Sequence, residues 1–135
     1  MEKRIIPARL DCLDDATGFV EQILERAGFS EEKILQVHLA AEEIFVNIVS
    51  YAYPSGEGEA ELRCELLQTP DRVRITFVDS GEPFDPLARE DADISEEALL
   101  GREGGLGILL VKNTMDDVQY AYADGKNVLT IVKNL

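Results

Sequence analysis

Three short stretches of the 135-residue chain hold residue types that could do chemistry: Glu42-Glu43-Ile-Phe-Val-Asn47, Val78-Asp79-Ser80-Gly81, and the run from Gly101 through Gly104, Gly105, Leu106 and Gly107. In the first, Glu43 and Asn47 are four positions apart, so on a helix both emerge on one side, a turn apart. Ile44, Phe45, Val46, Ile48 and Val49 around them are apolar. A carboxylate and a carboxamide in such company need polar partners or a cavity, because unpaired burial is costly. An amide oxygen beside a carboxylate also suits Mg2+, which takes few protein ligands and keeps waters or phosphate oxygens. The alternative is a polar helix flank that simply reaches solvent.

Asp79 ends a run in which Val73, Ile75 and Phe77 alternate. Strict alternation turns its carboxylate the way they point, where it could accept a hydrogen bond from an exocyclic amine such as that of adenine. Asp-Ser-Gly is equally a common turn, made by local hydrogen bonds. In the third stretch, Gly104, Gly105 and Gly107 precede the apolar run Ile108-Leu-Leu-Val111. Open N–H groups at a helix start favour an anion, and glycine permits close backbone approach or positive φ. The pattern is neither a Walker A loop nor a dinucleotide fingerprint, and a flexible hinge would look similar. Between Asp79 and the glycines lies GEPFDPLAREDADISEEALLGRE, whose cations are Arg89 and Arg102. A long segment with those two ends could close over a ligand as a lid, with either arginine pairing a phosphate; a solvated acidic loop is the plainer reading.

The elements that would position these residues follow from periodicity. Residues 3–10 read as an edge strand, because Pro7 suits a sheet edge. Ala16, Phe19, Val20, Ile23, Leu24 and Ala27 give a helix over 14–27, stopped by Gly28. Ser30 caps a second helix, with Glu31 and Glu32 in its first turn. Its stripe of Ile34, Val37, Ala41, Ile44, Ile48 and Ala52 predicts a span of 31–52, and PSGEGE (54–59) ends it. Two strands alternate through Leu62, Cys64, Leu66 and through Val73, Ile75, Phe77, joined by QTPDR. Residues 80–104 form the long loop, with a short helix at 95–100. A helix at 107–115, a strand at 117–123, a turn at Asp124-Gly125-Lys126 and a strand at 127–133 follow. This order predicts one α+β domain over residues 1–135, a two-layer sandwich with helices on one face of a mixed sheet.

Composition narrows the function classes. The apolar fraction is 45% and the net charge −14. Such an acidic chain lacks the positive field that nucleic acid or an anionic membrane requires. No apolar run approaches the length of a membrane span, and Met-Glu-Lys-Arg-Ile-Ile-Pro is no secretory signal, so a cytoplasmic protein is expected. Cys12 and Cys64 lack metal-ligand spacing and read as reduced, packed thiols.

The order of the motifs is more specific than any one of them. With EEIFVN (42–47), VDSGEPFDP (78–86), GGLGILLVK (104–112) and MDDV (115–118), nearly the whole chain resembles the GHKL (Bergerat-fold) ATP-binding domains. Among these it is most similar to the small anti-sigma-factor serine kinases of bacteria. The resemblance implies that Asn47 coordinates Mg2+ on the ATP phosphates and that Glu43 is the general base for a serine hydroxyl. Asp79 would bind the adenine amine, with Gly81 letting the chain pass close to the base. Arg102, Gly104, Gly105, Leu106 and Gly107 would hold the phosphates under a lid at about 80–104. It further implies an antagonist protein as phosphoacceptor, a sigma factor as sequestered partner, and a homodimer. Two positions depart from the family pattern: Pro83 replaces a second glycine, and Lys126-Asn127 stands where many relatives carry Ser or Thr after the last hairpin glycine. His38, a turn before Glu43, reads as structural or surface. A protein that binds ATP and a partner without transferring phosphate would show the same motifs, as would the nucleotide domain of another ATPase assembly.

Overall fold

Gly28 and Ser30 decide where the first two helices meet. The computed structural model describes residues 1–68, 71–88 and 105–135. After strand β1 (Glu2–Pro7) and a single 3-10 turn, helix α1 (Leu13–Ala27) ends at Gly28, which adopts the left-handed conformation (φ 86°). The Phe29 N–H returns to Leu24 O at 3.2 Å, closing the helix end. Helix α2 (Glu31–Asn47) then starts from Ser30, whose hydroxyl oxygen accepts the Lys33 N–H. The regular helix is shorter than the 31–52 expected: after Asn47 the chain widens into one π-helical turn, Ile48–Ala52.

Strands β2 (Glu59–Leu67) and β3 (Arg72–Asp79) form a hairpin, and helix α3 (Gly105–Thr114) leads to a second hairpin, β4 (Asp117–Ala123) and β5 (Lys126–Asn134). The second turns at Asp124 and Gly125, both with positive φ (55° and 76°), as a tight two-residue hairpin requires. The five strands lie in the order β1-β2-β3-β5-β4, with Pro7 on an edge strand. Among the described residues every pairing is antiparallel, which corrects the mixed sheet expected from sequence. The crossover through α3 does leave β3 and β4 running in the same direction. They never become neighbours, because β5 folds back between them.

Alternation gives the sheet one buried face. Ala60, Leu62 and Cys64 of β2, Val73, Ile75 and Phe77 of β3, and Leu129 and Ile131 of β5 lie in one core with α1, α2 and α3. The opposite face carries Arg63 paired with Glu61 and Arg74 paired with Glu65. Phe45 of α2 and Phe77 of β3 are fully buried, each contributing about 2–3 kcal/mol by removal from water. They fix α2 against the centre of the sheet. Cys12 and Cys64 are buried and unbridged. Among the described residues no helix is long and apolar enough to cross a membrane.

Candidate functional site

The last turn of α2 and the last residue of β3 meet at one end of the sheet. Asn47 and Asp79 are only 9% and 5% exposed, and both line a cavity walled by Ile44, Phe77, Phe84 and Leu129. Free space there is about 30 Å³, room for about one water. Buried polar groups facing an apolar cavity are the arrangement expected of a ligand site.

Asp79 is held by two donors on one oxygen. Its Oδ1 accepts the Gly81 N–H at 2.9 Å and Asn127 Nδ2–H at 2.9 Å. The first of these is the local turn anticipated for Asp-Ser-Gly, and the second ties the carboxylate to β5. Turn and buried carboxylate are thus one feature, since the turn uses a single oxygen.

Asn127 was missed as a site residue by the motif reading. It is 5% exposed, at the start of β5, directly opposite Asp79 in the β3–β5 register. Its Nδ2 also donates to Glu82 O at 2.7 Å, while its Oδ1 accepts the Phe84 N–H at 3.0 Å and the Tyr120 hydroxyl. The available signal was an Asn at the first core-facing position of a strand otherwise apolar on that face as far as Ile131. Burial and nearby acidic groups raise the Tyr120 phenol above its ordinary range, against the Phe84 N–H, which lowers it.

Glycine geometry also has a physical cause here. A side-chain carbon on Gly81 would stand 2.2 Å from Ala52 O, and the next amide, Glu82 N–H, donates to that same oxygen at 2.8 Å. The widened turn Ile48–Ala52 presents this carbonyl, so Gly81 is the price of a close backbone crossing. Tyr51, on the same turn, stacks on Phe84 with ring centroids 4.9 Å apart.

Glu43 lies one turn before Asn47, half-buried, against the start of α3. A carbon added to Gly107 would stand 1.9 Å from Glu43 Cδ and 2.3 Å from each carboxylate oxygen. Gly107 has no positive φ; what it supplies is space for this carboxylate. Burial first, and then the charge of Glu42, raise the Glu43 carboxyl above its usual range. The neighbouring His38 is apart from this chemistry, bridging Glu21 of α1 and Glu42 of α2.

The structure therefore gathers Asn47, Asp79 and Gly81 at the cavity and places Glu43 against Gly107. Gly105 and Leu106 form the first turn of α3. Arg102, Gly104, Arg89, most of the expected lid and the helix expected at 95–100 lie outside the described residues. Asn47, a buried carboxamide at the cavity with a carboxylate one turn earlier, fits a hard cation that prefers oxygen ligands.

Comparison with known proteins shows the family of the chain. The family model for the histidine kinase-like ATPase domain matches residues 6–133. The serine-protein kinase RsbW of Listeria monocytogenes serovar 1/2a is 33% identical, over 92% of this chain and 81% of that protein. RsbW of Bacillus cereus is 32% identical, over 92% of this chain and 79% of its own length. A solved chain from the SiaB–SiaC complex of Pseudomonas aeruginosa shares the fold, with a TM-score of 0.58 and 13% identity, over all of this chain and 90% of that one. The chain belongs to the histidine kinase-like ATPase domain family, among the relatives of the RsbW serine-protein kinases.

Proposed function

We propose that the protein is a Mg-ATP-dependent protein serine kinase of a partner-switching pathway. It phosphorylates an antagonist protein and, in the alternate state, sequesters a sigma factor, acting as a cytoplasmic homodimer. The observation that carries the nucleotide reading is the pair of buried polar groups, Asn47 and Asp79, on one apolar cavity beside a half-buried Glu43.

In this reading Asp79 accepts a hydrogen bond from the adenine amine. Asn47 contributes an amide oxygen to Mg2+, which when bound would neutralise phosphate charge. The first turn of α3, with Gly105, Leu106 and Gly107, offers backbone N–H groups to the phosphates, and Arg102 and Gly104 join them from the lid at about 80–104. Phosphoryl transfer needs positioning and charge compensation more than covalent chemistry. Glu43 takes the proton of the attacking serine hydroxyl, and its raised affinity for protons suits a general base. The net charge of −14 opposes a polyanion, which makes the cation and the helix N-terminus essential to affinity.

Calorimetric titration of ATP with and without Mg2+ tests the site, together with phosphate transfer to a purified antagonist. Asn47→Ala is expected to abolish Mg-dependent binding. Glu43→Ala should keep binding and lose transfer by about 10²–10⁴-fold. Equal Mg-ATP affinity in the wild type and Asn47→Ala would defeat the assignment. Normal binding with no transfer in the wild type would leave a nucleotide-dependent switch without kinase activity.

A further inference from the structure

The geometry points to Asn127 as the residue that sets base specificity, by holding Asp79 in one orientation and the chain at Glu82–Phe84 in one place. This rests on the nucleotide reading of the cavity. An Asn amide has two N–H donors and two acceptor lone pairs. All four are engaged: Asp79 Oδ1 and Glu82 O on the nitrogen, the Phe84 N–H and the Tyr120 hydroxyl on the oxygen. Asn127 therefore has nothing left to offer a ligand. It is a positioning residue, and what it positions is the carboxylate.

Among the described residues both hydrogen bonds to Asp79 fall on Oδ1. That leaves Oδ2 as the acceptor for a ligand. An amino-purine presents an N–H donor to it, whereas an oxo-purine presents lone pairs to lone pairs. Discrimination between the two depends on the carboxylate being unable to rotate away or exchange its partners. A carboxylate free to turn would meet an oxo-purine through a water instead and lose its selectivity. The two donors on Oδ1 prevent this, one from its own turn and one from a neighbouring strand.

The same amide holds the cavity wall. Its bonds to Glu82 O and Phe84 N–H fix that backbone as a neighbouring strand would. The Phe84 ring, stacked on Tyr51 at the cavity, is thereby held at its backbone by the same residue that holds Asp79. A hydroxyl at position 127 reaches at most part of this four-bond set.

The test compares ADP with inosine diphosphate, whose base carries an oxo group in place of the amine and an N1–H in place of the N1 lone pair. Both are titrated calorimetrically with Mg2+ into the wild type, Asn127→Ala, Asn127→Ser and Asp79→Ala, with melting curves for each. The wild type is expected to prefer ADP by about 10–100-fold, the worth of one hydrogen bond to a charged group. Each Asn127 variant that is folded at the assay temperature should lose at least about five-fold of that preference, mostly through weaker ADP binding. Asp79→Ala sets the floor. The serine variant, with the smaller cavity, carries the test if the alanine variant does not fold. A purely structural Asn127 would weaken both nucleotides equally, and an unchanged ratio in the folded variants overturns the inference while the nucleotide reading stands. A wild type that binds both alike also overturns the inference while the nucleotide reading stands, and one that binds neither removes the reading and the inference together.

Discussion

Gly107→Ala gives the sharpest test of how α3 and Glu43 are joined. Two effects oppose each other. Alanine is the better helix former, by up to about 1 kcal/mol, and Gly107 lies in a helix without positive φ. Against this, the new methyl would stand 1.9 Å from Glu43 Cδ, and forced overpacking costs about 1–3 kcal/mol. The two effects are of similar size and opposite sign, so the net change in stability is small and says little by itself. The informative quantity is the coupling. In a Glu43→Ala background the collision is gone and only the gain in helix propensity remains. The two melting-temperature shifts should then differ by about 1–3 kcal/mol, or about 3–10 °C for a domain of this size. The assay is thermal unfolding of the four proteins of the cycle, without nucleotide. Equal shifts in both backgrounds, within about 0.5 kcal/mol, would show that Gly107 makes no room for the carboxylate. Loss of phosphate transfer in Gly107→Ala with little loss of stability is the accompanying expectation.

The remaining predictions concern the same end of the sheet. If Glu43 is the base, the acid limb of the transfer rate lies above the ordinary carboxylate range, because burial and Glu42 raise its carboxyl. Glu42→Gln removes the second cause and should move that limb to lower pH; a limb that stays in place contradicts the role. A raised carboxyl favours the folded state below its unfolded value of about 4.3 and loses that contribution as pH rises through the folded value. Glu43→Gln should therefore melt higher than the wild type at neutral pH, with the advantage shrinking toward acid, and a pH-independent difference would refute it. Gly81→Ala drives a carbon to within 2.2 Å of Ala52 O. Because that atom is backbone, the expected loss is about 1–3 kcal/mol, read as a fall in melting temperature. An unchanged melting temperature would mean that the crossing of Gly81 over Ala52 is not needed.

Much of this was legible along the chain because the causes are local. Gly28 stops α1 and Ser30 starts α2 through bonds within a few residues, and the alternation through Val73, Ile75 and Phe77 does name the buried face. Asp79 follows from the same alternation, and the order of its motif with Glu43, Asn47 and the glycines pointed to the family. What stayed hidden depends on approach between distant segments. Nothing near Asn127 reveals that β5 inserts beside β3 and sets its amide against Asp79, and the same insertion removes the parallel pair. The widened turn at Ile48–Ala52 continues the apolar stripe of α2, so periodicity reads straight through it. Gly81 and Gly107 looked like places for a ligand to come near. The structure adds a second demand on each, since Ala52 O and the Glu43 carboxylate stand where a side chain would go.

The insertion of β5 has a consequence for synthesis. Of the five strands, β5 is the last to leave the ribosome, yet it sits inside the sheet, paired on both sides. Until it emerges, β3 presents an open edge, the kind of surface on which growing chains associate wrongly. Asp79 likewise waits for Asn127, 48 positions later in the chain. A growing chain thus lacks the strand-borne amide that orients this carboxylate until the β4–β5 hairpin closes.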